Sequence, residues 1–366
     1  MTQNAKRWTI SSLLLAVTAG MIGSALFTMT QSNEINVNVN LPAAVDQFDD
    51  QAVTPPEKRF GLAPDYQVVG QPIQAGYQRP FSVASSVDRK ANARLWAPVL
   101  AVHGKHFLNV PQQTGDCVSW GLKNAIRYRL AFQAWKGKSV KAADPFAPYL
   151  YGLARVTVGG NRPSCRSAGA YPAYAIKGFQ EYGWITESES AQPYSGRLAD
   201  NWGCDGPPRQ MLELGKARAK GDAYPIRSTD ELIEALTNGY PCTIASDFGT
   251  STIRQRDGRQ VAEWDASWPH QMCIIAYDGS GSTPYFYVIN SWGANAHPKP
   301  LGDEPPGGFW VTLDTVAKMI RTGEFWAISD VPGFPANELD WSVFDRVLKA
   351  STDKPATTTK SLALAL

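Results

Sequence analysis

Gln112–Trp120 reads QQTGDCVSW, and the run that continues from it to Trp135, CVSWGLKNAIRYRLAFQAW, decides how the rest of the chain is read. Val118, Leu122, Ile126 and Leu130 recur every four residues, which predicts a central, largely buried helix with Asp116 as its cap. Cys117 then falls in the first helical turn. There the positive end of the helix dipole favours a thiolate, whereas an ordinary thiol, with a pKa of about 8.5, stays protonated at neutral pH. Such a nucleophile needs a base and an orienting group. WPHQMCIIAYD, Trp268–Asp278, supplies His270, and VINSWG, Val288–Gly293, supplies Asn290. The Asn290 amide oxygen can accept from the second ring nitrogen of the imidazole, with Trp292 as a shield against water. The oxyanion of a tetrahedral intermediate needs donors, and the Cys117 N–H with the amide of Gln112 or Gln113 can provide them.

The chain divides by composition. Residues 1–7 contain Lys6 and Arg7 and precede an uncharged run, 8–29, long enough to span a bilayer. It reads as a retained transmembrane anchor or, cut near Gly23-Ser24-Ala25, as a secretory signal; in both readings the remainder lies outside the cytoplasm. Residues 30–94 are polar, with INVNVNLP and Pro55-Pro56, and read as a stalk or lead-in with no evident helical propeptide. Residues 95–335 form the folded domain. Its first half is helical: PFAPYLYGLARV and AYPAYAIKGFQEYG follow the Cys117 helix, and ELIEALTNG closes the series. Its second half, with PCTIASDF, QMCIIAYD, YFYVINSW and GGFWVTL, is a succession of short strands forming a sheet or small barrel. Residues 336–366 hold one amphipathic helix, ELDWSVFDRVLKA, and a low-complexity tail.

Taken together, these segments resemble the papain family of cysteine peptidases: a Gln, then Cys with Trp three residues on, then His on a strand, then Asn-Ser-Trp-Gly. The separation of 153 residues between Cys117 and His270 is close to the ~130–150 of this arrangement. SCRSAGAYPAYAIKGFQEYG and QPYSG match further family elements, so the resemblance runs over 97–330. It implies an α+β, two-lobed, papain-like fold: a helical lobe, an antiparallel β-barrel-like lobe, and the active site in the cleft between. It implies Cys117, His270, Asn290 and Gln112 as catalytic residues, Gln112 being preferred to Gln113 because it lies closer to the usual loop length. It implies a disulfide between Cys165 and Cys204. It also implies that Gly169, Ala170, Gln271 and Trp292 border the substrate, with Ala170 and Gln271 replacing smaller residues and narrowing the pocket or making it more polar. Asp116 replaces a small neutral residue, and its charge opposes thiolate formation.

Composition bounds the alternatives. With 43% apolar residues and a net charge of +2 on 366 residues, the chain has ample core and no basic face for nucleic acid. Five cysteines and four histidines make no ligand pattern, so neither a metal nor another cofactor is expected. Cys242 and Cys273 lie in apolar runs as buried thiols, and His103, His106 and His297 read as surface residues. A monomeric cysteine-type peptidase acting on protein or peptide, tethered to a membrane by its N-terminal helix or secreted, is the reading that follows; a catalytically silent papain-fold binding module in the envelope is its rival.

Overall fold

The helix that follows Asp116, α2 (Cys117–Trp135), is buried on almost every side, including Lys123, Arg127, Arg129 and Gln133. Its charges are therefore paired: Lys123 Nζ lies 2.9 Å from Asp144. Arg129 Nε and Gln133 Nε2 both donate to Asp330 Oδ1 at 2.8 Å, which ties the helix to the far end of the β-rich half. The computed structural model describes residues 60–64, 66, 87–138, 140, 143–161, 164–218, 221–337 and 339–344. The apolar run 8–29, most of the lead-in and the tail lie outside the described residues. Among those described, no helix is long and apolar enough to cross a membrane.

Helices dominate the first half. Before α2 come β1 (Asn92–Arg94) and α1 (Trp96–His103); after it, α3 (Ala147–Gly152) runs into a π-type turn at Leu153–Thr157. Then follow α4 (Pro172–Tyr182), α5 (Glu187–Ser190), α6 (Gly196–Asp205), α7 (Arg209–Ala217), strand β2 (Asp222–Pro225) and α8 (Thr229–Thr237). Pro172 opens α4, where its missing N–H costs nothing, and Gly183 at φ 65° ends it.

The second half supplies β3 (Cys242–Gly249), β4 (Ile253–Arg256), β5 (Arg259–Ala262), β6 (Ala266–Asp278), β7 (Tyr285–Ile289), β8 (Gly308–Thr312), α9 (Leu313–Thr322) and β9 (Glu324–Ser329). They join β1 and β2 in one sheet of order β2-β9-β3-β6-β7-β8-β5-β4, with β1 beside β6. The barrel expectation is corrected here: β2 and β4 end the sheet unpaired with each other, and β5 meets β8 in parallel, so the sheet is open and mixed. The reason lies in β6. One edge of this strand carries β3 as far as Ile274 and then β1, the other carries β7, and a register shift between Ile274 and Ala276 bends it. A strand that serves three neighbours in two sections splays the sheet instead of closing it.

β1 falls inside the stretch read as lead-in, and residues 339–344 of the C-terminal segment also join the core. The Trp341 and Phe344 rings lie 6.2 and 4.6 Å from those of Phe132 and Trp135, and Trp341 Nε1 donates to Thr237 O.

Candidate active site

Cys117 opens α2 and is fully buried. Its sulfur accepts the backbone N–H of Gln271 on β6 at 3.3 Å, so the first turn of the helix meets the strand that carries His270. This close approach requires Gly121, where a Cβ would lie 2.8 Å from Gln271 Cγ. Asp116 stands at the cap position, but its side chain makes no cap hydrogen bond, contrary to the sequence reading. Its Oδ2 accepts from Trp120 Nε1 (3.2 Å) and from the Tyr194 hydroxyl (3.1 Å) instead. Burial, against these two donors, raises its pKa to about 8.

His270 Nε2 lies 2.8 Å from Asn290 Oδ1. The same oxygen accepts the Ser291 backbone N–H at 2.7 Å, so it is the acceptor and the His270 proton sits on Nε2. Trp292 covers the imidazole with ring centres 4.8 Å apart, and Trp268 packs on Trp292 at 4.7 Å. Among the described residues, His270 Nδ1 has no hydrogen-bond partner. Burial pushes the Cys117 thiol far up and, despite the Asn290 contact, lowers His270 to about 4, so both groups rest in their neutral forms.

Part of that burial comes from residues 60–63. Leu62 N–H donates to Pro269 O (3.3 Å), Ala63 N–H to Ala170 O (3.1 Å), and Ala170 N–H to Gly61 O (3.0 Å). The segment thus runs parallel to the stretch at Ala170 and crosses Cys117, with a Gly61 backbone hydrogen bond reaching the sulfur.

The remaining sequence-derived positions fall as follows. Gln112 is buried; its Oε1 accepts from Ser291 Oγ (2.6 Å) and its Nε2 donates to Thr114 O (2.9 Å). Gln113 is exposed and its amide oxygen takes the Gly196 N–H. Gly169 adopts φ 97°, and its carbonyl accepts from Arg155 and Tyr151. Gln271 is buried between β6 and Gly121 of α2, because side chains alternate along a strand and His270 takes the other direction. Cys165 and Cys204 are bridged, Cα atoms 5.1 Å apart, while Cys242 and Cys273 are free and buried.

His103, His106 and His297 are half-buried, not surface residues. His297 reaches the site, with its Nε2 2.9 Å from Asn290 Nδ2. Sequence reasoning missed it, as it missed Tyr194 and Gly61. A histidine in AHPKP carries no local pattern, and the PYSG match named a segment without a role for its tyrosine.

Comparison with solved structures finds a cysteine protease, xylellain, from Xylella fastidiosa at 16% identity and a TM-score of 0.49, covering 78% of this chain and 99% of that one. A proCathepsin B from Trypanosoma congolense gives 14% identity and 0.46 over 76% and 87% of the two chains. Digestive procathepsin L 3 of Tenebrio molitor gives 17% and 0.44 over 74% and 76%. No curated protein matches the chain. Residues 159–299 match the papain family cysteine protease model, a span that takes in His270 and Asn290 and begins beyond Cys117.

Proposed function

We propose that the chain hydrolyses peptide bonds with Cys117 as nucleophile, His270 as general base and acid, and Asn290 as the group that orients the imidazole. The observation that carries this reading is the His270 Nε2 to Asn290 Oδ1 hydrogen bond, 2.8 Å long and sealed by Trp292, beside a cysteine at a helix N-terminus. His270 Nδ1 takes the thiol proton as sulfur attacks the substrate carbonyl carbon. The Cys117 N–H and the amide of Gln112 meet the oxyanion, and the imidazolium then protonates the leaving amine. A water deprotonated by His270 cleaves the resulting thioester. Gln112 is favoured over Gln113 because it is the buried one of the pair.

Residues 60–63 must leave the nucleophile before a substrate can reach it, so the arrangement is a latent one. The reading extends to a working domain outside the cytoplasm, held by the 8–29 segment or released by its cleavage. The bridge between Cys165 and Cys204 supports an oxidising compartment.

Cys117→Ser tests the assignment. Hydrolysis of denatured casein is expected to fall to background while the thermal midpoint stays within about 3 °C of wild type, since a hydroxyl is nearly isosteric with a thiol but ionises far less readily. A variant that keeps substantial activity sinks the reading. A wild-type chain whose Cys117 resists a peptidyl epoxide even after residues 60–63 are cut away would favour the silent binding module.

A further inference from the structure

We infer that His297 is a positioning residue for Asn290, holding the amide in the orientation that presents its oxygen to His270. The inference rests on the Cys117–His270–Asn290 reading and adds a member to it.

The Asn290 amide could be turned either way, and the Ser291 backbone N–H decides between them. That group can only donate, and it lies 2.7 Å from Oδ1, so Oδ1 faces His270 and Nδ2 faces away. At 2.9 Å from Nδ2 stands His297 Nε2. An amide nitrogen can only donate, so this ring nitrogen accepts, and the His297 proton sits on Nδ1. Asn290 itself is fully buried, and its backbone is pinned as well: its N–H donates to Gly307 O (3.3 Å) and its carbonyl accepts from Asn109 Nδ2 (3.0 Å). With the main chain held, rotation about the side-chain bonds is the freedom left, and His297 opposes it from the side opposite His270. The His297 ring is itself fixed by Phe309 of β8, edge to face at 4.9 Å, and lies 5.8 Å from Trp292.

Without an acceptor at this point the buried Nδ2 loses its partner, and the Ser291 N–H alone opposes a turn that would bring the amide nitrogen toward an Nε2 that also needs to donate. The imidazole would then lose its fixed tautomer, which is the purpose an orienting group serves in a thiol or hydroxyl nucleophile site. The effect belongs to the chemical step rather than to substrate binding.

The test uses the full chain and casein hydrolysis. His297→Leu is expected to lower kcat about tenfold with KM changed by less than about twofold, the pattern of a lost transition-state interaction. His297→Gln, whose amide oxygen can accept the same N–H, is expected to recover most of that loss. In the Asn290→Ala background, adding His297→Leu should cost nothing further, because the two act as one unit. An unchanged kcat in His297→Leu, a glutamine variant no better than leucine, or additive losses in the double variant would each overturn the inference. Cys117→Ser run in parallel separates the layers. If it stays active the underlying reading has failed; if it is inactive while His297→Leu is not, the positioning role alone has failed.

Discussion

Asp116 precedes Cys117, and its burial has a measurable cost. The folded-state pKa of about 8 lies above the ordinary carboxylate value of about 4, so the folded protein keeps a proton that the unfolded chain has lost. Stability attributable to this group is therefore full below about pH 4 and declines as pH rises toward 8. Asp116→Asn mimics the neutral form and can accept from Trp120 and Tyr194 alike. Its thermal midpoint is expected to exceed that of wild type by several degrees at pH 8.5 and to match it near pH 4; equal midpoints at both values would refute this. Above about pH 8 the same substitution also removes the negative charge whose field raises the Cys117 thiol. At this scale the hydrophobic patterns of their segments made legible the helix that Cys117 opens and the strand that carries His270, whereas grouping the two with Asn290 came from the resemblance of the three segments to one family. Asp116 was half legible: its position before the helix was evident, but its hydrogen bonds depend on where Tyr194, 78 residues on, returns to the site.

Among the elements, the π-type turn after α3 shows what pattern reading cannot reach. PFAPYLYGLARV predicted a helix and one forms, but the turn at Leu153–Thr157 widens it, and Arg155 enters the interior, 2% exposed. There its guanidinium donates to the carbonyls of Ser164 (3.0 Å), Ser167 (2.9 Å), Gly169 and Gly203 (2.8 Å), four main-chain groups that join the 164–169 loop to α6 in one wall. Helical periodicity marks Arg155 as a surface residue only if the helix is regular, and the acceptors it meets come from the 164–169 loop and from α6, both outside that periodicity. Arg155→Met removes this donor from all four; Gly169 O keeps the Tyr151 hydroxyl and Ser164 O the Ser167 N–H and hydroxyl, while at Ser167 and Gly203 the loss costs about 1–3 kcal/mol each where no water replaces it. The variant is expected to lose about 3 kcal/mol or more of stability in urea, and at a permissive temperature to show a raised KM with kcat less affected. A full-stability variant with unchanged KM would show that the wall stands without the arginine. The sheet illustrates the complementary limit: its strands were readable one by one, whereas its failure to close depends on how β6 shares its edges.

At the scale of the whole molecule, the segment at residues 60–63 joins the part read as lead-in to the heart of the domain. Neither its polarity nor its length signals this in the sequence: FGLA is held by main-chain hydrogen bonds, and its side-chain contacts, Leu62 in the core and Phe60 edge-on to Trp292, are too few to form a pattern. A side chain at Gly61 has no room: a Cβ there would come within 2.8 Å of Cys117 N. Gly61→Val is therefore expected to loosen the segment by about 1–3 kcal/mol and to speed epoxide labelling of Cys117 by roughly tenfold or more. Labelling no faster than in wild type would mean that the segment does not control access.

Because residues 60–63 belong to the same chain as Cys117, they compete for the nucleophile at a concentration set by covalent connection, of millimolar order for a short tether, and not by how much protein is in solution. Dilution leaves that competition untouched. A single cut between residues 66 and 87 changes its order from intramolecular to bimolecular, so a nicked preparation should gain activity on dilution while the intact chain should not. Such a concentration dependence, read from progress curves alone, would report whether a preparation has been cut before any gel is run.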